Sequence, residues 1–349
     1  MPDATPKTPA RKRSAPTSSV NRRRKSAAEV ESRAVSSTIE AAAVAADTAA
    51  ERRAVTAHTP IQRVTMLVNP LSGSVGPQAV AEAEALLAEY ACDAQVVALE
   101  AGAFDQQIAD ALAGKPDVLF VLAGDGTARS VAARAGVDGP LISPLPGGTM
   151  NMLPKALYGT TDWKAALRSA LEDGEPRAVA GGEVEGEAFY CAAILGSPAL
   201  WAPAREAIRT GKLKKAFGLA RRALRRAFSG RIRYELDGQR ARRTEALVLI
   251  SPMISRAMDA PTGLEAAAMD PVSAADAFRL AAHALFDDWR QDPAVLTRPT
   301  RSVRVRARSR IPAVIDGEPK LLGLNAQVRF LPRAFMALTP RPAAAEDSV

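Results

Sequence analysis

Residues 117–151, DVLFVLAGDGTARSVAARAGVDGPLISPLPGGTMN, contain the alternation that decides the fold. Residues 117–122 form a short apolar run without helical period, the pattern of a strand buried on both faces. Ala123-Gly124-Asp125-Gly126-Thr127 breaks the run where the chain must leave the strand sharply. A short helix is predicted from there to about residue 135, with Thr127 as its cap. A second apolar run, 140–145, ends in Pro146-Gly147-Gly148-Thr149-Met150-Asn151. Two successive strands therefore finish in glycine turns with a threonine hydroxyl just behind. Backbone N–H groups left free at such turns and helix starts form a cradle for phosphate oxygens.

The same reading extends outward in both directions. Residues 64–68 are strand-like and end in Asn69-Pro70-Leu71-Ser72-Gly73. An amphipathic helix is predicted over 78–90, a strand over 95–99 and a helix over 104–113. Strands alternating with helices at this spacing predict βαβ units on a parallel sheet. The turns at Asn69, Gly124 and Gly147 then share the C-terminal edge of that sheet, where open α/β sheets bind ligands. After a helix over 162–172 the pattern changes to period-two runs, as in Ile232-Arg233-Tyr234-Glu235-Leu236 and Ser302-Val303-Arg304-Val305-Arg306. Such strands have one wet face. The fold class predicted is α/β: a Rossmann-like parallel-sheet domain over 64–160, then a mostly antiparallel β-sandwich domain over 161–340 with helical insertions at 203–228 and 274–289. The last strand is a candidate to return to the first domain, and 341–349 reads as a tail.

Composition narrows the chemistry. With 349 residues, 47% of them hydrophobic, the chain has room for two domains and an ordinary core. Two distant cysteines, Cys92 and Cys191, make a disulfide framework unexpected and a reducing cytoplasm the default. Only two histidines occur, His58 and His283, which argues against a histidine-rich metal centre. Chemistry must come from carboxylates, hydroxyls, backbone amides or a bound cation. A formal charge of +8 favours an anionic partner. No apolar run approaches the ~18–20 residues of a spanning helix.

Residues 1–63 are rich in Pro, Ser, Thr and Ala with clusters such as Arg11-Lys12-Arg13 and Arg22-Arg23-Arg24-Lys25. They read as a disordered basic arm: a solvated tail, or an electrostatic tether to anionic membrane. The insertion at 203–228 sets Leu213, Phe217, Ala220, Leu224 and Phe228 on one stripe, with Lys214, Lys215, Arg221, Arg222, Arg225 and Arg226 around it. Two readings stand side by side: a cationic helix in a membrane interface, or a helix packed on the β domain. A nucleic-acid partner is not expected, because the folded part shows no basic–aromatic alternation. Met66, Met150 and Met152 read as packing residues, and His283 as structural.

Asn69-Pro70-Leu71-Ser72-Gly73, Ala123-Gly124-Asp125-Gly126-Thr127, Pro146 to Asn151 and Asp316-Gly317-Glu318 occur in that order at fitting intervals. This set resembles the diacylglycerol kinase catalytic-domain family, which includes sphingosine and ceramide kinases and bacterial lipid kinases. The resemblance implies an ATP- and Mg²⁺-dependent lipid kinase with its cleft between the two domains. It implies that Asn69, Pro70, Leu71, Ser72, Gly73, Gly124, Asp125, Gly126, Thr127, Gly147, Gly148, Thr149 and Asn151 line the nucleotide. It also implies that Asp125 and Asp316 organise metal, and that Asp125, Asp316 and Glu318 are catalytic, with Glu318 preferred as proton acceptor. The implied partners are a membrane lipid substrate and an anionic inner-membrane surface, reached through the basic arm and the 203–228 helix from the cytoplasmic side.

The chain departs from the family pattern at several places. Ala123 stands where the family usually has glycine, and Arg129 and Ser130 stand where it often has Asn-Glu. The carboxylate is lost there, and Arg129 brings a cation toward phosphate. The Lys-x-x-Asp-x-Tyr metal pattern of soluble bacterial diacylglycerol kinases is absent, and Leu195-Gly196-Ser197-Pro198 replaces the usual glycine-aspartate segment. The lipid alcohol is left open by these changes: diacylglycerol, or a ceramide or sphingoid base. Two rivals remain, a relative that binds lipid or nucleotide without turnover, and an NAD kinase, which shares the Gly-Asp-Gly motif. Asp316-Gly317-Glu318 alone also reads as a plain β-turn.

Overall fold

In the computed structural model of the protein, which describes residues 53–196, 231–255, 262–270 and 295–341, the first quoted strand is β3 (Val118–Ala123), with all six residues buried. It lies between β1 (Arg63–Val68) and β4 (Leu141–Pro146), with β2 (Asp93–Ala98) beyond β1, in the order β2-β1-β3-β4 and parallel throughout. Burial on both faces follows from what covers them. Val118, Phe120 and Leu122 pack with α1 (Ala79–Ala88) and α5 (Trp163–Asp173). Leu119, Val121 and Ala123 face α2 (Phe104–Ala113), α3 (Asp125–Ala135) and α4 (Met152–Tyr158). A strand with two dry faces has no polar alternation to show, which is why its sequence is continuously apolar.

The start of α3 differs from expectation. The helix begins at Asp125, with Gly124 in extended conformation as its N-cap and no side-chain cap. Gly124 O already accepts from Ala128 N at 3.1 Å, so Thr127 sits inside the first turn rather than capping it. Helix α5, expected to open the second domain, buries Trp163, Ala166, Leu167 and Leu171 in the core of the first. Asp162 caps it by accepting from Lys164 N at 2.9 Å.

Among the described residues, the second region forms two six-stranded antiparallel sheets. One has the order β6-β5-β16-β13-β8-β9, built from Glu187–Phe189, Gly174–Val184, Asn325–Pro340, Ser302–Arg306, Ile232–Leu236 and Arg242–Thr244. The other has the order β12-β11-β10-β7-β14-β15, built from Val295–Thr300, Leu264–Met269, Ala246–Ile250, Ala192–Gly196, Pro312–Ile315 and Glu318–Leu321. Their inner faces enclose a core that includes Phe189, Tyr234, Leu249, Val303, Ile315 and Val328. The long strand β16 ends back in the first core: Leu338 is buried there, and its carbonyl accepts from Ser143 Oγ at 3.1 Å and Tyr158 Oη at 3.0 Å. The architecture is thus a Rossmann-like sheet followed by an antiparallel sandwich, as the period change predicts. Residues 1–52, both insertions (203–228 and 274–289), and 342–349 lie outside the described residues, as does His283.

The close approach of β3 and the turn after β4 permits no side chain at Gly147. An added Cβ would stand 2.7 Å from Ala123 N and 2.9 Å from Ala123 O. Neither atom belongs to a flexible side-chain tip. Gly147→Ala is therefore predicted to destabilise the fold by about 1–3 kcal/mol, the usual scale of overpacking. Thermal unfolding checks this, and an unchanged midpoint would show that the turn has slack.

Candidate active site

The three turns at the C-terminal edge of the parallel sheet touch one another. Ser74 N donates to Gly147 O at 3.3 Å and Ser74 Oγ to Gly148 O at 3.1 Å, tying the first turn to the third. A Cβ on Gly148 would lie 3.0 Å from Gly124 Cα, and one on Gly73 would lie 2.9 Å from Thr149 Oγ1. The turn after β1 is shaped by Asn69, whose Oδ1 accepts from Leu71 N at 3.1 Å. Asn151, in the left-handed region at φ 49°, accepts from Gly148 N at 2.7 Å and holds the third turn closed. Both asparagines thus build the loops, whatever else they touch. Ahead of the first α3 ladder bond, the N–H groups of Asp125, Gly126 and Thr127 point along the helix N-terminus. Leu71, Met150 and Met152 are exposed at this edge, whereas Met66 is fully buried in packing.

Asp125 lies between this edge and the start of α4. Burial pushes its carboxyl above the usual aspartate value, against the pull of the backbone N–H groups of Asn151, Leu153 and Met152. Its Oδ1 is buried without a hydrogen-bond partner. Such an orphaned acceptor suits a cation, and Asp125 fits the expected metal role. Among the described residues no group of three or more His, Cys, Asp or Glu side chains could hold a metal alone. A cation here would take the rest of its shell from water or phosphate oxygens.

Asp316 and Gly317, with φ 46° and 87°, form the two-residue turn that joins β14 to β15, with Ile315 paired to Glu318. Two successive positive φ angles are those of a type I′ hairpin. The plain-turn reading and the functional one therefore describe the same residues. The Asp316 carboxylate accepts from Tyr190 N at 2.8 Å and from Cys191 N and Ala192 N at 2.9 Å each. Burial raises its pKa, opposed by those three N–H groups. Three of its roughly four lone-pair sites are taken, so the carboxylate pins the hairpin to residues 190–192, which leaves one site for a cation.

Glu318, the next residue but one, is carried by this hairpin to α3. Its Oε1 would stand 2.7 Å from a Cβ on Gly126, so glycine there is what lets the glutamate come close. Its Oε2 pairs with Arg129 Nη2. Arg129 is only 11% exposed, and it also reaches Glu187 Oε2 at 3.3 Å and Ala188 O at 3.4 Å. Lys320 Nζ binds Glu187 Oε1 at 3.0 Å, and this bond, followed by the charges of Lys320 and Arg129, holds the Glu187 carboxyl below its usual range. In this structure the Arg129 guanidinium contacts two carboxylates from the second region. Sequence reading missed Glu187 and Lys320, which stand in no motif. Period-two alternation along β15 puts Lys320 on the same face as Glu318, a signal available in the sequence.

Comparison with known proteins fits this geometry. Residues 63–184 match the model of the diacylglycerol kinase catalytic domain. The crystal structure of a diacylglycerol kinase from Bacillus anthracis str. Sterne superposes with a TM-score of 0.62 at 18% identity, covering 81% of this chain and 99% of that one. Two further structures from the same strain superpose with TM-scores of 0.59 at 16% identity, covering 81% and 80% of this chain and 99% and 98% of theirs. At such identities the likeness is one of fold. No curated protein matches the chain in sequence. Residues 63–184 are thus similar to a diacylglycerol kinase catalytic domain, and the fold is like that of the bacterial diacylglycerol kinase structures, a likeness that supports a lipid kinase. Among the described residues no helix is long and apolar enough to cross a membrane.

The raised pKa of Asp125 has a consequence for stability. A carboxyl whose folded pKa lies above its unfolded value favours the fold when protonated, and that contribution is lost as pH rises through the folded pKa. Without nucleotide or divalent cation, Asp125→Asn is predicted to unfold at a higher temperature than the parent near neutral pH. The difference should shrink as pH falls toward the ordinary aspartate value of about 4. A variant less stable than the parent at neutral pH would mean that the N–H groups around Asp125 outweigh its burial.

Proposed function

We propose that the protein is an ATP:lipid phosphotransferase, moving the γ-phosphoryl group of ATP to the primary hydroxyl of a membrane lipid, diacylglycerol or a ceramide or sphingoid lipid. It would work at the cytoplasmic face of the membrane. The observation that carries this reading is Glu318: a carboxylate from the second region, held by a buried arginine, over the glycine of the turn whose N–H groups face the sheet edge. Phosphoryl transfer asks mainly for alignment and charge neutralisation, with one base beside the acceptor hydroxyl.

Each residue has a part in that chemistry. The N–H groups of Gly126 and Thr127 and the hydroxyls of Thr127, Thr149 and Ser72 receive phosphate oxygens. Gly124 and Gly148 keep the floor of the cradle at backbone height. Asp125 would hold Mg²⁺, which supplies neutralisation of the charge that builds on the phosphates. Arg129 keeps Oε2 of Glu318 and leaves Oε1 to accept the proton of the lipid hydroxyl. The hydroxyl oxygen bonds to the γ-phosphorus as the bond to the ADP oxygen breaks. Asp316 fixes the hairpin on which Glu318 rides.

Incubation with labelled ATP and Mg²⁺ against diacylglycerol, ceramide, sphingosine and NAD, the lipids in detergent, tests this. Label is expected in a lipid, and Glu318→Gln and Asp125→Asn should each lower turnover at least ~100-fold, the scale of losing a general base or a charge-stabilising group. Label in NAD alone would identify an NAD kinase. No label at all would identify a binding protein without turnover, and near-normal activity in both variants would put the chemistry elsewhere.

A further inference from the structure

The outer face of the sheet containing β13 and β8 carries charges that folding alone does not explain. Val303, Val305, Ile232, Tyr234, Ala326 and Val328 point into the sandwich core. Period-two alternation therefore sends Arg304, Arg306 and Arg233 outward, and all three are exposed. On β9, Thr244 is buried opposite Ile232, so exposed Arg243 joins them. The register then sets Arg306 directly opposite Arg233, and Arg233 directly opposite Arg243. Three arginines stand in one row across three adjacent strands, and the row continues on β16 with uncharged Asn325. Like charges directly opposite one another destabilise a sheet.

Two nearby arginines are neutralised. Arg329 pairs with Glu183 at 2.9 Å and Arg231 with Asp270 at 2.8 Å. Among the described residues, Arg304 has Glu235 as its register partner without an ion pair, and Arg306, Arg233 and Arg243 likewise make no ion pair. A row of uncompensated guanidinium groups on a flat exposed face is matched by an extended anionic surface. The described outer-face positions hold no aromatic side chain on which bases could stack, which disfavours single-stranded nucleic acid. A kinase for a membrane lipid must reside at a bilayer, and to that extent the choice of occupant rests on the proposed function.

We infer that the outer face of this sheet, through Arg306, Arg233 and Arg243 with Arg304 beside them, docks on the headgroups of an anionic phospholipid bilayer.

Full-length protein is tested for co-sedimentation with vesicles of pure phosphatidylcholine and of equal parts phosphatidylcholine and phosphatidylglycerol. Binding is expected only to the anionic vesicles. Arg233→Gln/Arg306→Gln should weaken it about 25-fold, roughly fivefold for each arginine removed from an anionic surface. The same variant should unfold at an unchanged or higher temperature, because the opposed charges are relieved. Arg243→Gln, on the edge strand, gives the same signs with a smaller step and serves if the double variant folds poorly. Unchanged vesicle binding in these variants overturns the inference, and so does arginine-dependent binding to duplex DNA without binding to vesicles. Lipid phosphorylation in detergent is measured in parallel: its persistence while vesicle binding ignores the arginines removes only this surface, and its absence from the parent removes the kinase reading.

Discussion

Everything at the C-terminal edge of the parallel sheet depends on backbone meeting backbone at Gly148 and Gly124. A Cβ on Gly148 would stand 3.0 Å from Gly124 Cα, so the turns after β3 and β4 lie as near as chains can. That approach is set by β3 and β4 being parallel neighbours that leave the sheet at paired residues, Ala123 opposite Pro146. The turn after β1 is drawn in by Ser74 against Gly147 and Gly148. Parallel order, matched strand ends and small residues together place several N–H groups on one concave edge. Larger side chains at these glycines would separate the loops, and the cradle would no longer be continuous.

The second constraint is the chain of charges Lys320, Glu187, Arg129 and Glu318. It joins α3 of the parallel-sheet region to β6 and β15 of the sandwich. A guanidinium as buried as that of Arg129 must be matched by carboxylates, and here two are supplied. Its Nε remains buried without a partner. The arrangement favours one orientation of the glutamate more than it adds stability, since such pairs largely offset their own desolvation. Tyr190 edge-on to Phe335, with ring centroids 4.9 Å apart, packs the same junction between the regions.

Much of the fold was legible because the parallel strands are doubly buried and end in glycine, and because the later strands alternate. The turn residues were legible for the same reason: Gly124, Gly147 and Asp316-Gly317 are where backbone geometry restricts residue type. Roles within the site were less so. Asp316 looks like a ligand in sequence, and nothing local announces that three N–H groups at residues 190–192, more than a hundred residues away, also engage its carboxylate. Arg129 looks like a cation for phosphate, yet its partners Glu187 and Glu318 meet it only through sheet register. Thr127 looks like a cap, but an extended Gly124 already serves. Contacts of this kind are tertiary, and local pattern carries no trace of them.

The central claim is that three loops form a single phosphate-binding surface. Hydrogen–deuterium exchange with and without ATP and Mg²⁺ measures it directly. Slowed exchange at 71–75, 124–128 and 147–151 together is the predicted result. Protection confined to one of these segments, or to none, would contradict it.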